Sequence, residues 1–422
     1  MSAAVVGART DVAGTQRRTV VVLVMTQAIG GVGVAIGITV GALLAAAMGG
    51  TQVSGFAQSS LVVGSALLAV PVTRVMRGHG RRPGLVLAYG TGAAGACLVV
   101  AAAAWHSLPA LFLGLFLFGG GSAANYQARY AAVDLAEPAR RGRQLSLVVW
   151  ATTLGSVSGP MLAPVADATL RPLGAVTNSG PFAYSAVAFG FAALLVWALL
   201  RPDPLLVARS LDPGVPGAAP RAGLRAALAE VRASAPARLG MAAVAVGHLV
   251  MIAVMAMTPV HIGEGGHADT LRIVGIVLSL HIAGMYALSP VTGWLTDRVG
   301  RRPVILGGIG LLATACAVAG TAGHNTVQLS VGLTLLGLGW SATMVGGSTL
   351  LSESVGVANK PAVQGLSDLV LGLAAAVSGA ASGLVVAWAS YAVLAALAAL
   401  AVVPLLALAL RPVSRPPIVD LG

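Results

Sequence analysis

Long apolar runs, each about as long as a helix that crosses a lipid bilayer, constrain this chain more than any other feature. A stretch of about 20 apolar residues spans the hydrocarbon core as an α-helix, and such runs follow one another through most of the 422 residues. Only 9% of the residues are charged, against roughly 25% in an ordinary soluble domain. A soluble fold of this length could not cover its surface with so few charges. We therefore predict a membrane protein that crosses the bilayer many times.

The hydropathy pattern predicts twelve membrane-spanning segments. All are expected to be α-helices, because a chain in hydrocarbon must satisfy its backbone hydrogen bonds internally. A β-barrel is excluded because runs such as 394–410 do not alternate between apolar and polar residues. The predicted spans are 19–46, 53–76, 84–104, 109–133, 144–165, 181–200, 239–262, 271–296, 303–322, 327–351, 362–386 and 390–410.

Basic residues set the expected orientation of these spans. If the N-terminus is cytoplasmic, all of the 25 basic residues except Arg129, Arg171 and Arg272 fall on the cytoplasmic side. Because basic residues favour the cytoplasmic side of a membrane protein, we expect both termini there. The net charge of +12 does not indicate a nucleic-acid partner, since the arginines form short clusters between apolar runs rather than one basic face.

An internal repeat divides the chain into two halves. A shift of 220 residues places Gly80 to Pro83 on Gly300 to Pro303, and Val157-Ser-Gly159 on Val377-Ser-Gly379. Matches at one offset and several depths are not plausible as chance. We therefore predict a six-helix half at 1–200, a cytoplasmic loop at 201–238 and a second six-helix half at 239–422. Two repeated halves with a site between them are typical of secondary transporters.

The loop between spans 8 and 9 carries the motif Gly293-Trp-Leu-Thr-Asp297-Arg298-Val-Gly300-Arg301-Arg302-Pro303. This motif resembles the signature loop of the major facilitator superfamily, Gly-x-Leu-x-Asp-Arg-x-Gly-Arg-Arg, at the place of its second copy. The first-half copy is degenerate, since Thr73 replaces the family's first glycine and Arg77 its aspartate. The resemblance covers the whole chain. It implies an all-α transporter of a bacterial plasma membrane, with twelve transmembrane helices in two six-helix repeats.

The resemblance also implies a conformational latch at the cytoplasmic ends of the helices. Asp297 is expected to face the start of span 5 near Gln144–Ser146, where free helix amides favour a carboxylate. The paired arginines of each loop are expected to reach the acidic residue that ends span 4 or span 10. The alternative is that the arginines only orient the protein, which does not explain Asp297. The latch residues are Gly293, Asp297, Arg298, Gly300, Arg301, Arg302, Arg81, Arg82, Asp134 and Glu353.

Span 5 contains a second motif of small residues. Gly155-Ser-Val-Ser-Gly159-Pro160 resembles the superfamily's antiporter motif, Gly-x-x-x-Gly-Pro-x-x-Gly-Gly, which implies proton-coupled export. Small residues permit close helix approach, and the proline kinks the span. Ala163 and Pro164 replace the final glycines, so the match is partial, and glycines at this spacing also occur elsewhere in the chain.

Ionisable residues inside the predicted spans are candidates for function because they are costly at membrane depth. Arg129 in span 4 either lines a cavity or snorkels to the interface. Asp368 in span 11 either carries the coupled proton or forms a fixed pair, for example with Arg129. His248 and His281 are proton-binding candidates or hydrogen-bonded packing residues.

The superfamily's cavity is formed mainly by spans 1, 4, 7 and 10, with contributions from spans 2, 5, 8 and 11. The cavity candidates are Gln27, Gln58, Asn125, Arg129, Trp150, His248, His281, Tyr286 and Trp340, with Asp368 for proton coupling. The other positions are mostly small and apolar, which favours hydrophobic or amphipathic solutes.

These observations favour a secondary transporter that couples the export of small hydrophobic or amphipathic compounds to the proton gradient. The alternatives are an uptake symporter or facilitator for a small organic solute, and a non-transporting receptor on the same fold. We expect no cofactor, no metal and no enzymatic activity, since no nucleotide-binding, nucleophile or metal-ligand motif is present. The expected partners are the solute and the lipid bilayer, and we expect the protein to function as a monomer.

Overall fold

The structure, a computed structural model, describes residues 3–132, 134–137, 141–211, 224–266, 268–355 and 360–411. Within these ranges the chain forms helices joined by short turns, and the all-α prediction is confirmed. The helices are α1 (Ala3–Gly49), α2 (Thr51–His79), α3 (Arg81–Ala104), α4 (Leu108–Ala131), α5 (Arg141–Leu170), α6 (Gly180–Leu199), α7 (Pro204–Leu211), α8 (Leu224–Ala233), α9 (Ala235–Glu264), α10 (Thr270–Tyr286), α11 (Ser289–Arg298), α12 (Arg301–Gly320), α13 (Thr326–Glu353), α14 (Lys360–Trp388) and α15 (Tyr391–Leu410).

The helices agree with the predicted spans in number and place. Eleven segments of the described residues are long and apolar enough to cross a bilayer, and α5 joins the bundle by packing along α1 and α10. The last two spans separate where predicted, because Ser390 caps α15 by accepting a hydrogen bond from the Val393 amide at 3.2 Å. The predicted span 271–296 differs, since it is interrupted between α10 and α11 just before Pro290. Proline lacks the amide hydrogen that a continuous helix needs.

Each half has its own apolar core. In the first half the rings of Phe182 and Phe189 lie 5.6 and 5.2 Å from that of Phe118, edge to face. The second half is filled instead by leucines and by a run of buried methionines on α9, which include Met251 and Met257. The short helix α8 packs on α9 and α14, so part of the central loop is anchored to the second half.

The two halves meet near one end of the bundle through two contacts that the repeat relates. A Cβ atom at Gly55 of α2 would clash with the Gly379 carbonyl of α14, and one at Gly275 of α10 would lie 2.6 Å from the Pro160 carbonyl oxygen of α5. Such distances leave room only for glycine, so these helices touch through their backbones. We call the two contacts the glycine seal.

Hydrogen bonds reinforce the glycine seal with the same symmetry. Ser59 donates to the Ala376 carbonyl at 2.6 Å, and Ser279, which is Ser59 shifted by 220 residues, donates to the Val157 carbonyl at 2.7 Å. Both bonds join one half to the other. The seal lies at the end opposite the Gly80–Pro83 and Gly300–Pro303 loops. We call the end with these loops the arginine end.

Toward the arginine end the cleft between the halves is open. Tyr126 on α4 and Asp368 on α14 are exposed there, and the side chain of Asp297 is 77% exposed. The helices therefore form a bundle that is closed at the glycine seal and open at the arginine end.

Candidate substrate cavity

A stack of aromatic side chains forms the second-half wall of the cleft. The Trp340 indole N–H of α13 donates a hydrogen bond to Nδ1 of His248 on α9 at 3.0 Å. Tyr286 on α10 packs against Trp340 with 5.6 Å between ring centroids, edge to face. Trp340 is thereby held from two sides, and the stack presents Tyr286 to the cleft.

Tyr286 faces the first half because of its place on α10. It follows Gly275 of the glycine seal by about three helical turns, on the same helix face. Near the seal this face contacts α5, and further along it borders the open cleft. Tyr126 and Arg129 of α4 are close enough to Tyr286 to interact with it electrostatically.

Tyr126 and Arg129 form the first-half wall. The Arg129 guanidinium lies 5.0 Å from the centre of the Tyr126 ring, in the geometry of a cation–π interaction. Arg129 also interacts electrostatically with Tyr286 and Asp368 of the second half, so its guanidinium lies on the side of α4 that faces that half. Tyr126 was missing from the predicted cavity residues, although its position three residues before Arg129 was a usable signal.

Asp368 faces the same cleft from α14. It precedes Gly379 of the glycine seal by about three turns and shares its helix face. Arg129 is near enough to interact with the Asp368 carboxylate electrostatically, but the two form no direct salt bridge among the described residues. The cleft thus contains a cation and an anion, one from each half.

Two predicted cavity residues, Gln27 and Asn125, lie instead inside the first half. Gln27 is 1% exposed and Asn125 is 8% exposed. The Gln27 amide donates to the Asn125 carbonyl at 3.1 Å and to the Thr152 hydroxyl at 2.8 Å. The Tyr89 hydroxyl lies 3.2 Å from both side-chain carbonyl oxygens. Buried polar groups need partners of this kind, so the network holds α1, α3, α4 and α5 together and does not face the solute.

Three further cavity candidates lie apart from the Tyr126 and Tyr286 walls, each in a different surrounding. His281 is fully buried, and its Nδ1 lies 2.7 Å from the Leu333 carbonyl, so it packs between α10 and α13. Trp150 lies on an exposed stripe of α5 with Leu147 and Leu154, two turns before Val157 and on the same helix face, so this stripe borders the cleft further from the seal. Gln58 lines a small pocket beneath the glycine seal, with residues of α1, α4, α9 and α10.

At the arginine end each half forms one bidentate ion pair. The Arg81 guanidinium donates to both Asp134 oxygens at 2.8 and 3.0 Å. Arg301 donates to both Glu353 oxygens at 2.9 and 2.7 Å. Two parallel bonds fix the geometry of such a pair.

The second arginine of each loop does not join these pairs as expected. Arg302 donates to the carbonyls of Ala409 and Arg411 at the end of α15. The Arg82 guanidinium lies 5.8 Å from the Trp197 ring of α6. Both arginines follow the helix start by one residue more than their neighbours, so they point to another side of the helix. There they tie the loop to the last span of the same half.

Among the side chains that the structure describes, Asp297 makes no contact with α5. Its carboxylate lies 3.5 Å from Arg301 within the same loop and is otherwise exposed. The side chains of Leu145 and Ser146, part of its expected partner, lie outside the described residues. In the same motif, Arg298 lies over the Trp294 ring at 5.2 Å, Gly293 has open space at its Cβ position, and Gly300 has a φ of +105°, which favours glycine.

Sequence reasoning missed one residue of the arginine end, Asp203, which follows α6 at the start of the central loop. Its carboxylate accepts hydrogen bonds from the backbone amides of Arg81 at 3.1 Å and Arg82 at 2.7 Å. It also accepts from the Leu205 amide at 3.0 Å. Asp203 thereby caps the N-terminus of α3 and fastens the central loop to the degenerate first-half motif.

The antiporter-like motif of α5 packs against α1. Cβ atoms at Gly155 and Gly159 would collide with Ala28 and Ala35, respectively, so the two glycines permit the close approach that was predicted. Pro160 belongs to the glycine seal. The motif therefore joins α1 on one side to α10 on the other.

Taken together, two six-helix repeats that enclose a cleft with one closed end are the architecture of a membrane transporter. A sequence model of the Major Facilitator Superfamily matches residues 19–271 and 267–421. The chain belongs to this superfamily, and the resemblance seen in its signature loop is confirmed.

Relatives and solved structures agree with this assignment. The chain is 38% identical to the uncharacterized MFS-type transporter YdeG of Bacillus subtilis over 89% of its own length and 87% of that protein. It is 28% identical to the riboflavin transporter RfnT of Brucella anthropi over 84% of its length and 85% of that protein. Its fold is similar to that of the nucleoside transporter NupG, with a TM-score of 0.70 at 13% identity, covering 94% of this chain and all of that one.

Proposed function

We propose that this transporter exports small amphipathic organic compounds in exchange for protons. The observation that carries the proposal is the cleft itself, which combines aromatic side chains with one guanidinium and one carboxylate. Aromatic walls suit apolar surface, and the few polar groups suit orientation of the solute. A relative named for transport of riboflavin, an amphipathic organic compound, supports this class of solute.

In this proposal Asp368 carries the coupled proton. Among the acidic residues that the structure describes, Asp368 is the one that lies both inside a span and at the cleft between the halves. A carboxylate that alternates between water and a closed cavity can bind and release a proton. Arg129 interacts electrostatically with Asp368, so protonation of the Asp368 carboxylate removes a negative charge near the Arg129 guanidinium.

Uptake by symport or facilitated diffusion is the second candidate. It is favoured by Ala163 and Pro164, which replace the last glycines of the antiporter motif. We further propose that the protein acts as a monomer in a bacterial plasma membrane, that the arginine end is cytoplasmic, that no cofactor is needed, and that the proton gradient is the driving force. In that orientation the conformation described here is open to the cytoplasm.

The test is solute flux in proteoliposomes, with a compound identified by growth of an expressing strain against a compound panel. Asp368→Asn is expected to abolish flux driven by a pH gradient but to retain counterflow exchange, because the amide mimics the protonated acid. If Asp368→Asn keeps the same dependence on the pH gradient as the unmodified protein, the coupling role is wrong. Glu230→Gln, in α8 of the central loop, is the matched control and is expected to leave the coupling unchanged.

A further inference from the structure

The polar groups of the cleft are arranged as a donor beside an acceptor. Arg129 offers only hydrogen-bond donors, and an ionised Asp368 offers only acceptors. The two interact electrostatically, yet each is free of a direct salt bridge to the other among the described residues. A solute that enters between them meets a donor group on the first half and an acceptor group on the second.

The charges of this pair cancel, which favours an uncharged solute. A net positive or negative solute would leave one member of the pair without a counter-charge in a low-dielectric cavity, which is costly. An uncharged solute satisfies both members if a carbonyl oxygen and an N–H group lie next to each other on one edge. Amide-like edges of heteroaromatic rings have this arrangement.

The aromatic side chains set the shape of the solute. Tyr126 on the first half and Tyr286 on the second come within electrostatic range of each other across the cleft. Trp340 packs against Tyr286 from behind, and His248 accepts a hydrogen bond from Trp340. A flat ring can stack on such side chains, and stacking of a heteroaromatic base on an aromatic side chain is a substantial source of affinity.

We propose that the cleft is a binding site for an uncharged, planar heteroaromatic solute that presents adjacent carbonyl and N–H groups to Arg129 and Asp368. Its ring lies between Tyr126 and Tyr286. The assignment deepens the proposed function by naming the chemical class of the solute, and it rests on that function for the identity of the cavity.

Binding to the purified full-length protein tests the assignment. Lumichrome is a suitable probe, because it is a flat, uncharged, fluorescent ring system with carbonyl and N–H groups on one edge. We expect lumichrome to bind, and lumichrome methylated at both ring N–H groups to bind at least tenfold more weakly. Tyr286→Leu is expected to weaken lumichrome binding about tenfold, whereas Tyr286→Phe keeps the ring and most of the affinity.

Trp105→Leu is the matched control, since Trp105 is an exposed aromatic residue at the C-terminal end of α3, at the opposite end of the bundle from the open side of the cleft. It is expected to leave the affinity unchanged. Circular dichroism and size-exclusion chromatography establish that each variant is folded. The assignment is overturned if the folded protein does not bind lumichrome, if methylation has no effect, or if Tyr286→Leu binds as tightly as the unmodified protein.

This experiment separates the assignment from the proposed function. If a pH gradient drives transport of another compound but lumichrome does not bind, the proposed function stands and the assignment of the solute class is wrong. A protein that binds lumichrome as described but shows no proton-driven flux keeps the assignment and loses the coupling.

Discussion

Single residues at the ends of helices decide how the loops of this transporter are held. Asp203 accepts hydrogen bonds from the first amides of α3 and of α7, the helix that begins at the next residue. Gly80 permits this, because its φ is +98° and the Asp203 carboxylate occupies the space that a Cβ atom would take. One carboxylate thus joins the first half to the central loop.

We expect Asp203→Ala to destabilise the first half. Loss of a capping acceptor costs about 1 kcal/mol of the free energy of unfolding, and the amide hydrogens of residues 80–84 should exchange faster with solvent. Hydrogen exchange by mass spectrometry measures the local effect. Asp203→Asn keeps one acceptor oxygen and should lie between the alanine variant and the unmodified protein; equal exchange in both variants would count against the capping role.

The sequence predicted ion-pair partners well where both residues lie at the ends of neighbouring helices. Arg81 and Arg301 pair with the acidic residues at the ends of the neighbouring helices, as expected. Gln27 and Asn125 were wrongly assigned to the cavity, because depth along a span does not tell which face a side chain occupies. The contact of Asp203 was not predictable, since it joins segments far apart in sequence through backbone amides that any residue would supply.

At the scale of helices, the glycine seal joins the two halves in the conformation described here. Gly55→Ala and Gly275→Ala each introduce a methyl group where the partner backbone already lies. Overpacking of this kind costs roughly 1–3 kcal/mol, and it penalises only the state in which the seal is closed. We therefore expect both substitutions to shift the population toward opening at that end.

Labelling of a cysteine at Gln58, beneath the seal, measures this shift. With the exposed Cys97 replaced by serine, reaction with an impermeant maleimide from the sealed side should become roughly tenfold faster. Gly310→Ala is the matched control, because Gly310 is a helical glycine with open space at its Cβ position. An equal increase in the control would attribute the effect to glycine replacement in general.

The two signature loops differ in a way that predicts unequal roles. Asp297 is exposed while the arginine end is open, and we expect it to dock on α5 only when that end closes. Asp297→Asn should therefore lower transport and reduce crosslinking between α5 and α11. Arg77→Ala, at the corresponding position of the first half, should have little effect, because Arg77 contacts Arg209 through its backbone carbonyl. Equal losses in flux assays would contradict this asymmetry.

At the scale of the whole molecule, the sequence predicted the twelve spans, the repeat and the superfamily. It could not predict which end is open, because alternating states of one chain share every local propensity and differ only in contacts between the halves. The sequence also did not indicate that Ser59 and Ser279 would make equivalent hydrogen bonds across the interface. Both depend on how two packed halves meet.

Charge distribution predicts how the molecule lies in the membrane. Leu173, in the turn after α5, and Val299, in the second signature loop, are both exposed and lie at opposite ends of the bundle. Each can be replaced by a cysteine for labelling. In intact cells an impermeant maleimide should label position 173 and not position 299. Lysed cells, in which both should react, provide the control, and the reverse pattern in intact cells would invert the proposed orientation.

The glycine seal has a consequence for redesign of this protein. Its contacts are made by backbone atoms, by glycines and by two serine hydroxyls, none of which belongs to the aromatic and charged residues of the cleft. The contacts of the glycine seal are therefore chemically separate from the side chains that we propose to bind the solute. A transporter for a different solute can therefore be designed by replacing Tyr126, Tyr286 and Trp340 while the glycine seal is left unchanged.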